Sequence, residues 1–229
     1  KSKNLEKLIL KRNNLYEKIY SKLNPWQKVQ VARHIDRPHT KDYINYIFDN
    51  IVLLHGDKKF SDDNAIIGGL ASINDQSVMV MGTEKGNSMD TRISHNFGMA
   101  KPEGYRKAQR LVMMAEKFNL PVITFVDTAG AFPGKDAEER GQSESIASSI
   151  ALSLKINTPI ISIIIGEGGS GGAIALATAD RVLMLEHAIY SVISPEGCAS
   201  ILWRSTDFTQ MAAETLKLTS EDCLKFKII

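Results

Sequence analysis

The run Asn157-Thr158-Pro159-Ile160-Ile161-Ser162-Ile163-Ile164-Ile165-Gly166-Glu167-Gly168-Gly169-Ser170-Gly171-Gly172 decides the architecture of this chain. Its first half is short, apolar and β-branched and is introduced by proline. That is the pattern of a strand buried on both faces. Its second half sets five glycines in seven residues between that strand and a small-residue helix expected over 173–179. An echo lies 38 residues upstream, where Asn119-Leu120-Pro121 leads into Val122-Ile123-Thr124-Phe125-Val126 and closes on Asp127-Thr128-Ala129-Gly130. A helix over about 137–156 fills the interval. Strand, helix, strand at this spacing is a βαβ unit, so the sheet is parallel here and both strand ends open on one edge.

Working outward, 65–73 and 77–81 read as two strands of a hairpin turned by Asn74-Asp75. A loop marked by Gly82, Gly86 and Asn87 follows, and Pro102 opens a helix with Tyr105, Ala108, Val112, Ala115 and Phe118 on one face. Downstream, 181–186 and 190–193 read as strands, Ser194-Pro195 as a helix start, and the tail from Met211 as helical. Upstream, Leu5, Leu8, Ile9, Tyr16, Ile19 and Leu23 give an amphipathic helix. Asn24-Pro25 caps a second helix reaching about His34, and Thr40 caps a third that ends near His55-Gly56. The chain thus divides into a helical segment, 1–56, and an α/β domain, 57–229.

Composition narrows the function classes. The chain has 229 residues, 43% hydrophobic and 24% charged, with a net charge of +2. Folding a chain of this length buries roughly 70–75% of its unfolded surface, so no disulfide or metal staple is needed. The net charge is not a nucleic-acid footprint, although residues 1–60 carry 13 Lys+Arg against 6 Asp+Glu. No apolar run approaches membrane-spanning length. Cys198 and Cys223 form no C-x-x-C pair, so no metal site is expected, and two thiols suit a reducing compartment. The start at Lys1 and the apolar stop at Phe226-Lys227-Ile228-Ile229 read as two cut ends.

The glycine run after 165 carries the chemistry. At a helix start, free N–H groups converge with the positive end of the dipole, making a nest for negative charge. Gly166-x-Gly168-x-x-Gly171 matches a dinucleotide fingerprint with Glu186 downstream, but too little chain follows to complete such a domain. Gly168-x-Ser170-x-Gly172 matches a nucleophile elbow, but Asp180 and His187 flank a single strand and cannot build a triad from separate loops. Ser170 reads instead as a helix N-cap. An oxyanion hole needs no triad and fits best. Asp127 is a strand-end candidate base, and Glu138 and Glu167 are the carboxylates an acyl-CoA hydratase or isomerase would use. Arg140 is placed to hold a carboxylate or to form a local ion pair. His34, His39, His55, His95 and His187 show no ligand spacing.

Four stretches give a resemblance: 102–108 (PEGYRKA), 134–144 (GKDAEERGQSE), 165–173 (IGEGGSGGA) and 190–203 (YSVISPEGCASILW). From about Trp26 onward the chain closely resembles the carboxyltransferase α subunits of multi-subunit acetyl-CoA carboxylases. The resemblance implies a crotonase-like fold, a spiral of β-β-α units around a small perpendicular sheet. It implies that carboxyl passes from carboxybiotin on a biotin carboxyl carrier protein to acetyl-CoA, giving malonyl-CoA, with biotin carboxylase upstream. It implies a zinc-bearing β subunit in an α2β2 assembly, no metal in this chain, and a bacterial cytoplasm or plastid stroma. Gly171 and Gly172 then match the glycines whose N–H groups stabilise the biotin enolate. Gly168, Gly169, Ser170, Gly130, Ala131, Arg140 and Lys85 are expected around substrate and biotin. The sequence departs from the family in the less basic loop 87–95, where Ser94-His95 replace arginines, and in Ala100 and Ala129, which replace prolines.

Overall fold

The computed structural model describes residues 2–229. Helix α1, Ser2–Tyr20, is exposed over residues 4–20, with its Tyr20 ring 5.5 Å from the ring of His187. Helix α2, Pro25–Ala32, starts as expected: the Asn24 side chain accepts the Gln27 N–H at 2.8 Å, and Pro25 takes the first helical position. Helix α3, Thr40–Ile47, is capped by His39 rather than Thr40, because Asp42 accepts the His39 N–H while the Thr40 hydroxyl donates to the Thr83 carbonyl at 2.6 Å.

The third helix does not run to Gly56. Residues Asp49–Leu53 form strand β1 at the sheet edge. It pairs antiparallel with β2, Ile66–Ile73, so a boundary at 56 cuts through the sheet. The α2 and α3 helices also belong to the core. Val29 and Ala32 pack with Ile189, Ala213 and Leu218; Ile44 and Phe48 pack with Phe125 and Ile165.

The hairpin is as read: β2 pairs antiparallel with β3, Gln76–Thr83, through Asn74 and Asp75 at φ 48° and 62°, the left-handed pair of a tight hairpin turn. The following segment is not all loop, since it contains α4, Met89–Ser94. Helix α5, Pro102–Lys117, then crosses to β4, Val122–Thr128. The expected single helix over 137–156 is two: α6, Lys135–Glu139, and α7, Gln142–Ser153, broken at Gly141 with φ 83°. The chain returns in β5, Ile160–Gly169, and passes directly into α8, Ser170–Ala177. After β6, Arg181–Met184, and β7, Ile189–Ser191, come α9, Pro195–Trp203, α10, Thr209–Thr215, and α11, Ser220–Lys225.

The described strands order β1-β2-β3-β4-β5-β6, with β3 through β6 parallel and β7 pairing the far end of β5. Alternation along the strands divides the core. Met79, Met81, Val122, Val126, Ile160 and Ile164 meet Tyr105, Leu111, Ala173 and Leu176, residues of α5 and α8. Val78, Val80, Phe125 and Ile165 face the other way, onto Ile44 of α3 and the adjoining Phe48.

A candidate active site at two glycine turns

Both strand-end turns meet, as the βαβ reading requires. At Gly172 a Cβ would lie 2.5 Å from the Gly130 carbonyl carbon and 2.7 Å from the Ala131 nitrogen; at Gly169 it would overlap the Ala129 carbonyl. Only glycine permits this backbone-to-backbone contact. Thr128 braces the first turn, its hydroxyl donating to the Gly130 carbonyl at 2.8 Å and accepting the Gly130 N–H at 3.1 Å.

The second turn presents the donors. Gly169 is the N-cap of α8, and Ser170 is its first residue, not the cap. Ser170 takes φ 52°, a left-handed backbone that turns the strand into the helix without an intervening residue. Gly171 and Gly172 sit one turn short of an intrahelical acceptor, so their N–H groups have none. No loop carbonyl or side chain among the described residues receives either one. Ser170 is exposed, Gly171 half-buried and Gly172 buried, so the nest reaches the surface at its Ser170 end. A Cβ at Gly171 would make only ordinary contact, 3.6 Å from Ile146. Two adjacent orphan donors at a positive helix end, open on one side, suit an oxygen that gains negative charge.

The nucleophile-elbow alternative finds its backbone here but no relay. The Ser170 hydroxyl has no His or carboxylate partner among the described residues, and His187 faces Tyr20. A hydratase base is equally absent from the turn: Glu167 is buried against Arg33 at 2.6 Å, and Glu138 lies exposed on α6.

Two expected ligand residues are engaged elsewhere. Lys85 turns inward, with its Nζ 2.7 Å from Asp127 and 3.8 Å from Glu167. Arg140 bridges Glu103 at 2.9 Å and Asp136 at 3.3 Å and covers the Phe60 ring. Arg106 of α5, a further basic side chain nearby, is held by Asp57 at 2.8 Å. Burial raises the Asp57 carboxyl, but N–H donors from Phe60 and Lys59 and then Arg106 outweigh it and bring it down to about 2. The Ala131 backbone lies in the contact with Gly172, and the neighbouring Phe132 N–H bonds the Ala100 carbonyl, which also accepts from Gln142. Among the described residues no cluster of His, Cys, Asp and Glu is arranged to hold a metal ion.

The sequence reading missed the ionic group behind the turn. Arg33 and Arg37 come from a helical segment that showed no motif; the only hint was a pair of acids, Asp127 and Glu167, at corresponding strand ends.

A family model described as acetyl co-enzyme A carboxylase carboxyltransferase-like matches residues 1–229. The chain is 60% identical over 225 residues to the acetyl-coenzyme A carboxylase carboxyl transferase subunit alpha of Paramagnetospirillum magneticum, covering 98% of this chain and 71% of that protein. It is 59% identical over 219 residues to the subunit of the same name from Ruegeria pomeroyi, covering 96% and 68%. Among solved structures, the transcarboxylase 12S core superposes with a TM-score of 0.70 at 19% identity, over 86% of this chain and 40% of that one. The β subunit of Pseudomonas aeruginosa geranyl-CoA carboxylase gives 0.67 at 16%, over 88% and 40%. These likenesses establish the mixed α/β, crotonase-like fold.

Proposed function

The chain belongs to the acetyl co-enzyme A carboxylase carboxyltransferase-like family, and from that premise we propose that it is the α subunit of a biotin-dependent carboxyltransferase. In this reading carboxyl passes from carboxybiotin on a biotin carboxyl carrier protein to acetyl-CoA and yields malonyl-CoA for fatty-acid synthesis. The observation that carries it is the pair of N–H groups at Gly171 and Gly172, which have no intrahelical acceptor and stand where the two glycine turns meet, Gly171 half-buried beside the exposed Ser170 and Gly172 buried against the Gly130 and Ala131 backbone.

Carboxybiotin supplies a carboxyl group on a ureido nitrogen and an adjacent ureido oxygen that gains negative charge as the carboxyl leaves. The Gly171 and Gly172 N–H groups are fixed before that charge appears, so they stabilise it without reorganising. One such donor is worth about 3–4 kcal/mol at a transition state. Gly168 and Gly169 bring the backbone of β5 against the first turn, where Gly130 and Ala131 form the opposite wall. Ser170 sets the turn angle and is exposed at the surface. No side chain of this chain is required as a base, which agrees with the engagement of Asp127 and Glu167 in ion pairs.

The open side of the nest and the absence of a free cation at Lys85, Arg106 and Arg140 support a partner that completes the site and holds the CoA. A zinc-bearing β subunit in an α2β2 assembly fits that need, with biotin carboxylase recharging the carrier. No helix among the described residues is long and apolar enough to cross a membrane, and a bacterial cytoplasm is the proposed setting. The test mixes the chain with its β subunit and follows malonyl-CoA-dependent carboxylation of free biotin. Activity in the mixture alone is expected. Enoyl-CoA hydration by the isolated chain would overturn the reading.

A further inference from the structure

Strand β5 carries a bulge just before the donor turn. Val126 pairs with Ile164 and Thr128 with Gly168, so Asp127 alone stands opposite Ile165, Gly166 and Glu167. The extra residues lose regular partners on β4, although Glu167 still pairs with Ile189 of β7, and on the β4 side charged side chains replace them. Asp127 Oδ1 accepts the Glu167 N–H at 2.8 Å. The Arg37 Nε donates to the Ile165 carbonyl at 2.7 Å. A Cβ at Gly166 would overlap the Asp127 carboxylate, so glycine makes room for it. The Glu167 side chain is held by Arg33 at 2.6 and 3.0 Å, and Lys85 ties Asp127 to the same group. Arg33 also reaches Glu196 of α9 at 2.8 Å. Within this group Asp127 and Glu167 are only 3% and 5% exposed. A bulge re-aims the strand that follows it, and here only Gly168 and Gly169 separate it from Ser170.

We propose that Arg33, Arg37, Lys85, Asp127 and Glu167 are positioning residues for the carboxyl-transfer site: by fixing the β5 bulge they set the direction of the Gly171 and Gly172 N–H groups. The helical segment that supplies Arg33 and Arg37 is thereby part of the catalytic apparatus. This rests on the carboxyltransferase reading above. The group touches no substrate and acts through the backbone, so its loss slows the chemical step without changing how the CoA substrate binds. A displacement of about 1 Å at such donors costs on the order of 100-fold in rate.

The test uses the complex with the β subunit and the reverse assay, carboxylation of free biotin by malonyl-CoA. Asp127→Ala is expected to lower kcat by about 100-fold while KM for malonyl-CoA and α–β assembly stay as in the wild type. Asp127→Asn keeps the acceptor for the Glu167 N–H and is expected to recover most of kcat. Gly166→Ala, which displaces the carboxylate, should match the Asp127→Ala loss and add nothing in that background, as residues of one unit do. Arg37→Met tests the opposite wall of the bulge and should lower kcat about tenfold, a part of the same misplacement. Wild-type kcat in Asp127→Ala, a loss confined to KM, or an Asn variant as poor as Ala would each overturn the proposal. An inactive wild-type complex would instead remove the carboxyltransferase reading, and this inference with it.

Discussion

The two strand-end turns share a sequence signature and do different work. Each follows an Asn-x-Pro lead and a buried apolar strand, and each ends in glycine. After β4, residues 129–134 intervene before the next helix, and the Thr128 hydroxyl and the Ala100 carbonyl bond the backbone of that stretch. After β5 no residue intervenes; Ser170 turns sharply at φ 52°, and the N–H groups of Gly171 and Gly172 are left without an intrahelical acceptor. Connection length therefore separates a supporting wall from a donor site. A slack loop can fold back and satisfy itself, whereas a direct strand-to-helix passage leaves its first amides without an intrahelical acceptor.

Breaking the contact between the turns has the largest expected effect. Gly172→Val places side-chain atoms into the Gly130 and Ala131 backbone. It should abolish transfer and also lower stability by about 1–3 kcal/mol, as overpacking does; denaturant unfolding together with the coupled assay checks both. Arg140→Met sharpens the contrast by striking the first turn's flank, outside the donor site. It breaks the ion pairs to Glu103 and Asp136, so a modest fall in Tm is expected with kcat within about twofold, as for a surface-proximal change away from the chemistry. Gly141→Ala strains the left-handed break between α6 and α7. A loss of about 1 kcal/mol is expected, read from the urea midpoint, with transfer kinetics preserved.

The smallest effect lies on the opposite sheet face and depends on pH. The hydrogen bond with Glu84, at 3.2 Å, raises the His39 pKa above its ordinary 6.5, with burial opposing. A raised histidine stabilises the fold fully below its unfolded value and loses that contribution as pH climbs through the folded value. For Glu84, burial raises the pKa, but bonds from His39, Gly86 and Lys41 lower it overall, so its contribution fails only on the acid side. The wild type should therefore lose stability on the alkaline side of pH 6.5, and His39→Gln should flatten that slope in urea melts across this range.

Local chemistry was legible in the sequence where a few neighbouring residues settle the outcome. The Asn24 and Ser194 caps, the Asn74-Asp75 hairpin and the Pro102 helix start all stand as read. The parallel pairing of β4 with β5 followed from two apolar runs and the helix-sized gap between them. Strand β1 was missed because it is an edge strand, mostly exposed, without the alternation of a half-buried strand. The break at Gly141 was missed because the surrounding residues all favour helix. The partners of Lys85 and Arg140 were not legible for another reason. A basic residue beside a glycine turn looks available to an anion, but its charge is assigned by partners that local pattern does not reveal: Lys85 meets Asp127, and Arg140 meets Glu103. Similarly, Arg33 finds Glu167 across 134 positions of chain.

The central claim is that the amides at the start of α8 stabilise charge during transfer, and Gly171→Val tests it most directly. The backbone there leaves ordinary room for a Cβ, 3.6 Å from Ile146, so the variant should fold and assemble with the β subunit while its side chain crowds the donors. A fall in kcat of about 100- to 1000-fold, the worth of one oxyanion donor, with Tm and KM for malonyl-CoA unchanged, is the predicted result. Undiminished kcat in an assembled complex would contradict the account.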